Sequence, residues 1–71
     1  MKLLQEHIDF IEMNLSIFRL NNAATQEQRV IVYDIYNHIT GMNKKVSSCG
    51  RCWRNVKQRV MEEYKKQNTE L

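Results

Sequence analysis

No proline interrupts this chain of 71 residues, and its two glycines, Gly41 and Gly50, bracket one short stretch between two long segments that contain neither breaker. In a helix interior proline costs about 3 kcal/mol and glycine about 1 kcal/mol relative to alanine. A chain that keeps both at the edges of its apolar patterns is therefore built for long helices. With 42% hydrophobic and 27% charged residues it belongs with folded rather than disordered chains. The expected fold is all-α: three helices over about 3–20, 26–40 and 48–66 in one small domain spanning 1–71. Two arrangements suit that pattern, a small bundle or a long first helix set apart from a helical hairpin. A core of this size supplies only a few kcal/mol unless a metal, a disulfide or oligomerisation helps.

The apolar spacing gives each helix a face. Leu4, Ile8, Ile11, Leu15 and Phe18 alternate steps of four and three, which keeps them on one side of a first helix. Leu3, Phe10 and Ile17 add a second row, widening the face beyond what one neighbouring helix covers. Phe10 and Ile17, with Met13 and Leu20 on the opposite side, are thus candidates for contact with another chain. Thr25-Gln26-Glu27-Gln28 has the form of a capping box and predicts a second helix from Gln26. Its buried stripe is expected at Ile31, Ile35 and Ile39 with Val32 and Tyr36, leaving Val30 and Tyr33 to the sides, and Gly41 should end it in the left-handed conformation. Ser47 or Ser48 would cap the third helix, with Cys49, Cys52, Trp53, Val56, Val60 and Tyr64 facing inward and Arg51 and Arg54 outward.

Charge is polarised along the chain. Residues 1–43 carry three cations against five anions, and residues 44–71 carry eight cations against three anions, so a net −2 is followed by a net +5. Such a split suits head-to-tail contact between copies or a basic surface for an anionic partner. Lys44, Lys45, Arg51, Arg54 and Lys57 form the candidate anion-binding cluster, and a helix N-terminus flanked by arginines suits phosphate. Three short helices with a basic third one also resemble helix-turn-helix proteins, although the connection after Gly41 is longer than the tight turn of that motif. Nucleic acid is therefore the alternative partner to protein.

Both thiols sit in Cys49-Gly50-Arg51-Cys52. As zinc ligands they would need completion, and His38 and then His7 are the only histidines available for a four-ligand site. As a redox pair they would gain from the helix N-terminus and the nearby arginines, but the βαβ units of thioredoxin-like enzymes are absent from the pattern. The first expectation is structural, two reduced cysteines packed at one end of the third helix's buried face. No paired-carboxylate site, glycine-rich phosphate loop, or nucleophile beside an evident base supports catalysis, so neither an enzyme nor a small-molecule substrate is expected. No apolar run reaches 18 residues, and the first residues lack the order of a secretory signal.

The segment Tyr36-Asn37-His38-Ile39-Thr40-Gly41, then Lys44-Lys45, then Ser48-Cys49-Gly50-Arg51-Cys52 and a basic helix, resembles small CxxC-containing helical proteins of tailed bacteriophages and prophages of the Bacteroides group. The likeness covers the second half of the chain and leaves residues 1–24 outside it. It implies a phage origin, and with it a location in the virion or the host cytoplasm, rather than a mechanism. The combined expectation is a non-enzymatic assembly module, a virion accessory or structural protein. A small nucleic-acid-binding regulator using the basic loop and third helix is the alternative.

Overall fold

The computed structural model describes residues 3–19, 24–47 and 49–69. The described chain is all-helical: α1 runs Gln5–Met13, α2 Leu15–Arg19, α3 Gln26–Thr40 and α4 Gly50–Thr69. Four helices replace the expected three because the first is broken at Asn14. In a continuous helix the Asn14 amide would bond the Phe10 carbonyl. Here the Asn14 side chain takes that carbonyl itself, Nδ2 to Phe10 O at 2.8 Å, while its backbone N–H turns to Ile11 O at 3.1 Å. An asparagine side chain that competes with the backbone for a nearby carbonyl is a ready helix breaker.

The two halves of that break are held by α3. Thr25 caps α3 as expected: Gln28 N–H donates to Thr25 Oγ1 at 3.1 Å, and Thr25 N–H donates to Gln28 Oε1 at 2.9 Å. The Gln28 side-chain amide nitrogen makes a further bond, donating to Asn14 Oδ1 at 3.0 Å. One side chain thereby closes the cap of α3 and pins the corner between α1 and α2. At the other end Gly41 takes the left-handed conformation, φ 72°, and its N–H bonds Asn37 O at 2.9 Å. A side chain at that φ would be strained, which is why the helix stops at this glycine.

A single core joins all four helices: Leu3 before α1, Ile11 from α1, Ile17 from α2, Val32, Tyr33, Ile35 and Ile39 from α3, and Val56, Val60, Met61 and Tyr64 from α4. The first segment thus packs on its own chain, not as a detached helix. It runs antiparallel to α4: Leu3 N–H donates to Gln67 Oε1 at 2.6 Å, Tyr64 Oη donates to Glu12 Oε2 at 3.0 Å, and Ile17 meets Lys57. Ile17, expected at an interface with another chain, is 3% exposed and belongs to this core, and Phe10 packs half-buried against it. Leu20 lies outside the described residues.

On α3 the expected stripe holds at Val32, Ile35 and Ile39, which are buried, and shifts at its edge: Ile31 is 39% exposed and Tyr33, expected to the side, is buried where Trp53 of α4 stacks on it. The Trp53 ring of α4 stacks on Tyr33, centroids 6.1 Å apart and planes within 13°, so the start of α4 lies beside the middle of α3. No helix among the described residues is long and apolar enough to cross a membrane.

Candidate functional site

The start of α4 is capped by sulfur. Cys49 precedes the first helical residue; its carbonyl accepts from Trp53 N–H at 3.0 Å, and its Sγ accepts from Cys52 N–H at 3.2 Å. The thiol does here what a serine hydroxyl usually does at an N-cap, satisfying one of the amides that the first turn leaves without a carbonyl. Of the two serines expected in that role, Ser47 instead accepts the Cys49 N–H at 3.4 Å, and Ser48 lies outside the described residues. The Cys52 S–H donates to Cys49 Sγ at 2.7 Å.

Both cysteines are free thiols, Cys49 exposed and Cys52 half-exposed, so they do not form the buried end of α4 that the helical projection assigns them. The physical reason is positional. A cap residue has non-helical backbone angles and falls off the 100° projection, and α4 enters the core only from Trp53 and Val56 onward. The pair is asymmetric: the hydrogen bonds from the Cys52 thiol and amide draw the Cys49 thiol below its ordinary pKa, helped by the Arg51 amide and Lys44, while donating to Cys49 holds the Cys52 thiol above its own.

At the first turn of α4, two cations flank one ring. The Arg29 guanidinium carbon lies 5.5 Å and Lys57 Nζ 5.4 Å from the Trp53 centroid, both within cation–π range. Lys57, expected in the anion-binding cluster with Arg51 and Arg54, is buried, and its Nζ donates to Ile17 O at 3.1 Å. The five-residue α2 leaves its last carbonyls without intrahelical partners, and a lysine from α4 reaches in to take one. Burial, with the like charges of Arg54 and Arg29, pulls the Lys57 pKa below the ordinary lysine value.

Beside Lys57 the α2–α4 junction opens into a cleft of about 650 Å³. Phe18 and Met61 give it an apolar floor, and Arg19, Arg54 and Lys65 set exposed positive charge around it, with Glu62 the single acid in its lining. The remaining predicted cations, Lys44, Lys45 and Arg51, are exposed. Lys44 is not on a loose connection: Asn37 clasps its backbone with two bonds of 2.9 Å, and its ammonium lies 5.6 Å from the centroid of the Tyr36 ring.

The outer face of α1 has the opposite sign. Glu6, Asp9 and Met13 follow a three-four spacing that lines them up on one stripe, all exposed, and Met13 is 84% exposed. Among the described residues expected at an interface, Met13 is thus the one that stands bare.

The expected metal ligands fall into two separate pairs. His7 and His38 meet edge to face at 4.9 Å between ring centroids, and Cys49 meets Cys52. Among the described residues no group of three or more His, Cys, Asp or Glu is placed to hold a metal ion. His7 serves the helix start instead. At the third position of α1 its Nδ1 accepts the Leu4 N–H at 3.2 Å, the reach-back usually made by Glu or Gln. Burial first, and the neighbouring His38 second, hold its pKa below the ordinary histidine value, against the opposing pull of Glu6 and Asp34.

Arg19, Arg29 and Lys65 lie outside the cluster that the sequence predicts. Arg29 is the legible one of the three, since it sits four residues before Tyr33 and shares its stripe. Arg19 and Lys65 come together only through the packing of α2 on α4. No protein-family model, curated protein or solved structure matches this chain.

Proposed function

We propose that this chain is a non-enzymatic assembly module that joins to further copies of itself head to tail. The acidic stripe of α1 with Met13 in one copy would enter the basic, apolar-floored cleft between α2 and α4 of the next. The observation that carries this reading is the match between the two surfaces. One presents Glu6, Asp9 and an 84% exposed methionine, the other presents Arg19, Arg54 and Lys65 around Phe18 and Met61. Opposite charge steers and orients such a contact, while the apolar centre supplies the desolvation that holds it. Different patches meeting head to tail generate rings when the rotation closes and filaments when it does not, both of which are building plans of particles.

The likeness of the second half to phage-encoded CxxC proteins makes a tailed-phage virion, or the host cytoplasm where it is assembled, the setting for that role. The tests are sedimentation of the purified protein at low salt and at ~150 mM salt, where charges beyond about 8 Å are screened, and co-purification from infected cells or particles. The expected result is reversible association that weakens with salt. A monomer at every concentration and salt would overturn it.

The second reading, a nucleic-acid-binding regulator, draws on the exposed Lys44, Lys45, Arg51 and Arg54 along the loop and first turns of α4. A retardation assay with duplex and single-stranded DNA at the same salt discriminates the two. Tight binding by a monomer would favour the regulator over the assembly module.

A further inference from the structure

We infer that Cys49 and Cys52 form a thiol–disulfide exchange site, in which this chain takes up a disulfide from a low-molecular-weight or protein disulfide. Cys49 is the attacking sulfur and Cys52 the resolving one. The exchange is a single-turnover modification of this chain and is independent of the assembly reading.

The geometry makes the assignment. The two sulfurs lie 2.7 Å apart, so forming the bond of ~2.05 Å needs a movement of less than about 1 Å. Both are free and reachable from solvent, Cys49 the more so. Their roles differ by position: Cys49 Sγ sits at the cap of the 20-residue α4 and receives the Cys52 N–H at 3.2 Å and the Cys52 S–H, contacts that favour negative charge on that sulfur. Cys52 is one turn into the helix, less exposed, and is the donor in the pair. Purely structural cysteines are buried and inert; these are neither buried nor apart from each other.

The exchange balances with the oxidant named. The Cys49 thiolate attacks one sulfur of RSSR, making a Cys49–SR bond and expelling RS⁻. Cys52 then gives up its proton, and its sulfur attacks Cys49 Sγ, forming the Cys49–Cys52 bond and expelling the second RS⁻. Two thiols of the chain are oxidised, one disulfide is reduced to two thiols, and the two cysteine protons end on those leaving groups.

The test exposes the fully reduced, full-length chain to oxidised glutathione in the presence of a chelator, quenches at intervals with a thiol-alkylating reagent, and reads intact mass and peptide maps. The wild-type chain is expected to lose two hydrogens and retain no glutathione, passing through a transient adduct on Cys49. Cys52→Ser is expected to hold that adduct on Cys49, and Cys49→Ser to react at least about tenfold more slowly. A wild-type chain that stops at a mixed disulfide would overturn the proposal. So would equal rates for the two variants. Closure in the wild-type chain is read without either substitution, so the result does not depend on how the variants fold.

Discussion

Lys57 shows how one residue changes meaning once its neighbours are known. In the sequence it counts with Arg54 among the candidate anion-binding cations, yet it is buried and bonded to the Ile17 carbonyl beside Trp53, on the side of α4 where its spacing of four from Trp53 and three from Val60 puts it. The carbonyl it takes is at the end of α2, brought to it by long-range packing, and no local pattern around Lys57 announces a partner 40 residues away. Cys49 escapes the helical projection because caps do not follow helical periodicity, whereas Thr25, Gln28 and Gly41 are legible because their chemistry is written within four residues. Truncation should expose the difference between the cations. Lys57→Ala is expected to lower stability by about 1–3 kcal/mol through the lost bond and stem packing. Arg51→Ala should stay within about 0.5 kcal/mol of wild type. Urea denaturation followed by helicity measures both; equal midpoints would contradict the buried role of Lys57.

At the scale of the elements, the corner between α1 and α2 and the start of α3 are one unit, because Gln28 serves both. Gln28→Ala is expected to cost about 1–2 kcal/mol. Asn14→Ala should cost less in that background than alone, a coupling of about 0.5–1 kcal/mol in a double-mutant cycle. Additive costs would mean that the corner and the cap are independent. The start of α1 carries a pH dependence. Nδ1 of His7 must be unprotonated to accept the Leu4 N–H, and its pKa is depressed by burial and by His38, with Glu6 and Asp34 pulling the other way. A depressed pKa means that the unfolded chain binds the proton more readily. Stability is therefore full above the unfolded value of about 6.5 and declines as pH falls below it toward the folded value. His7→Gln keeps an acceptor for Leu4 and removes the titration, so its denaturation midpoint should fall less than that of wild type between about pH 7.5 and about pH 5. The same fall in both would place the pH dependence elsewhere.

For the whole molecule, the absence of proline and the apolar periodicity carry the all-helical fold, but not the order in which the pieces meet. The antiparallel run of the first segment along α4, and the start of α4 beside Tyr33, are set by long-range packing that periodicity does not encode. The charge split is visible in the sequence; the gathering of its basic half around an apolar-floored cleft is not, since Arg19 joins Arg54 and Lys65 only in the folded chain. The head-to-tail contact rests on that cleft meeting the stripe of Glu6, Asp9 and Met13, and a pair of charge reversals tests it most directly. Asp9→Arg and Arg54→Asp lie on the two opposed surfaces, each exposed. Sedimentation at low salt is expected to show each single variant as a monomer where wild type associates, and an equimolar mixture of the two to associate again, because the unaltered stripe of the Arg54→Asp chain meets the unaltered cleft of the Asp9→Arg chain and the two reversed charges meet at the alternate junction. Association unchanged in the single variants, or a mixture that stays monomeric, would contradict the account.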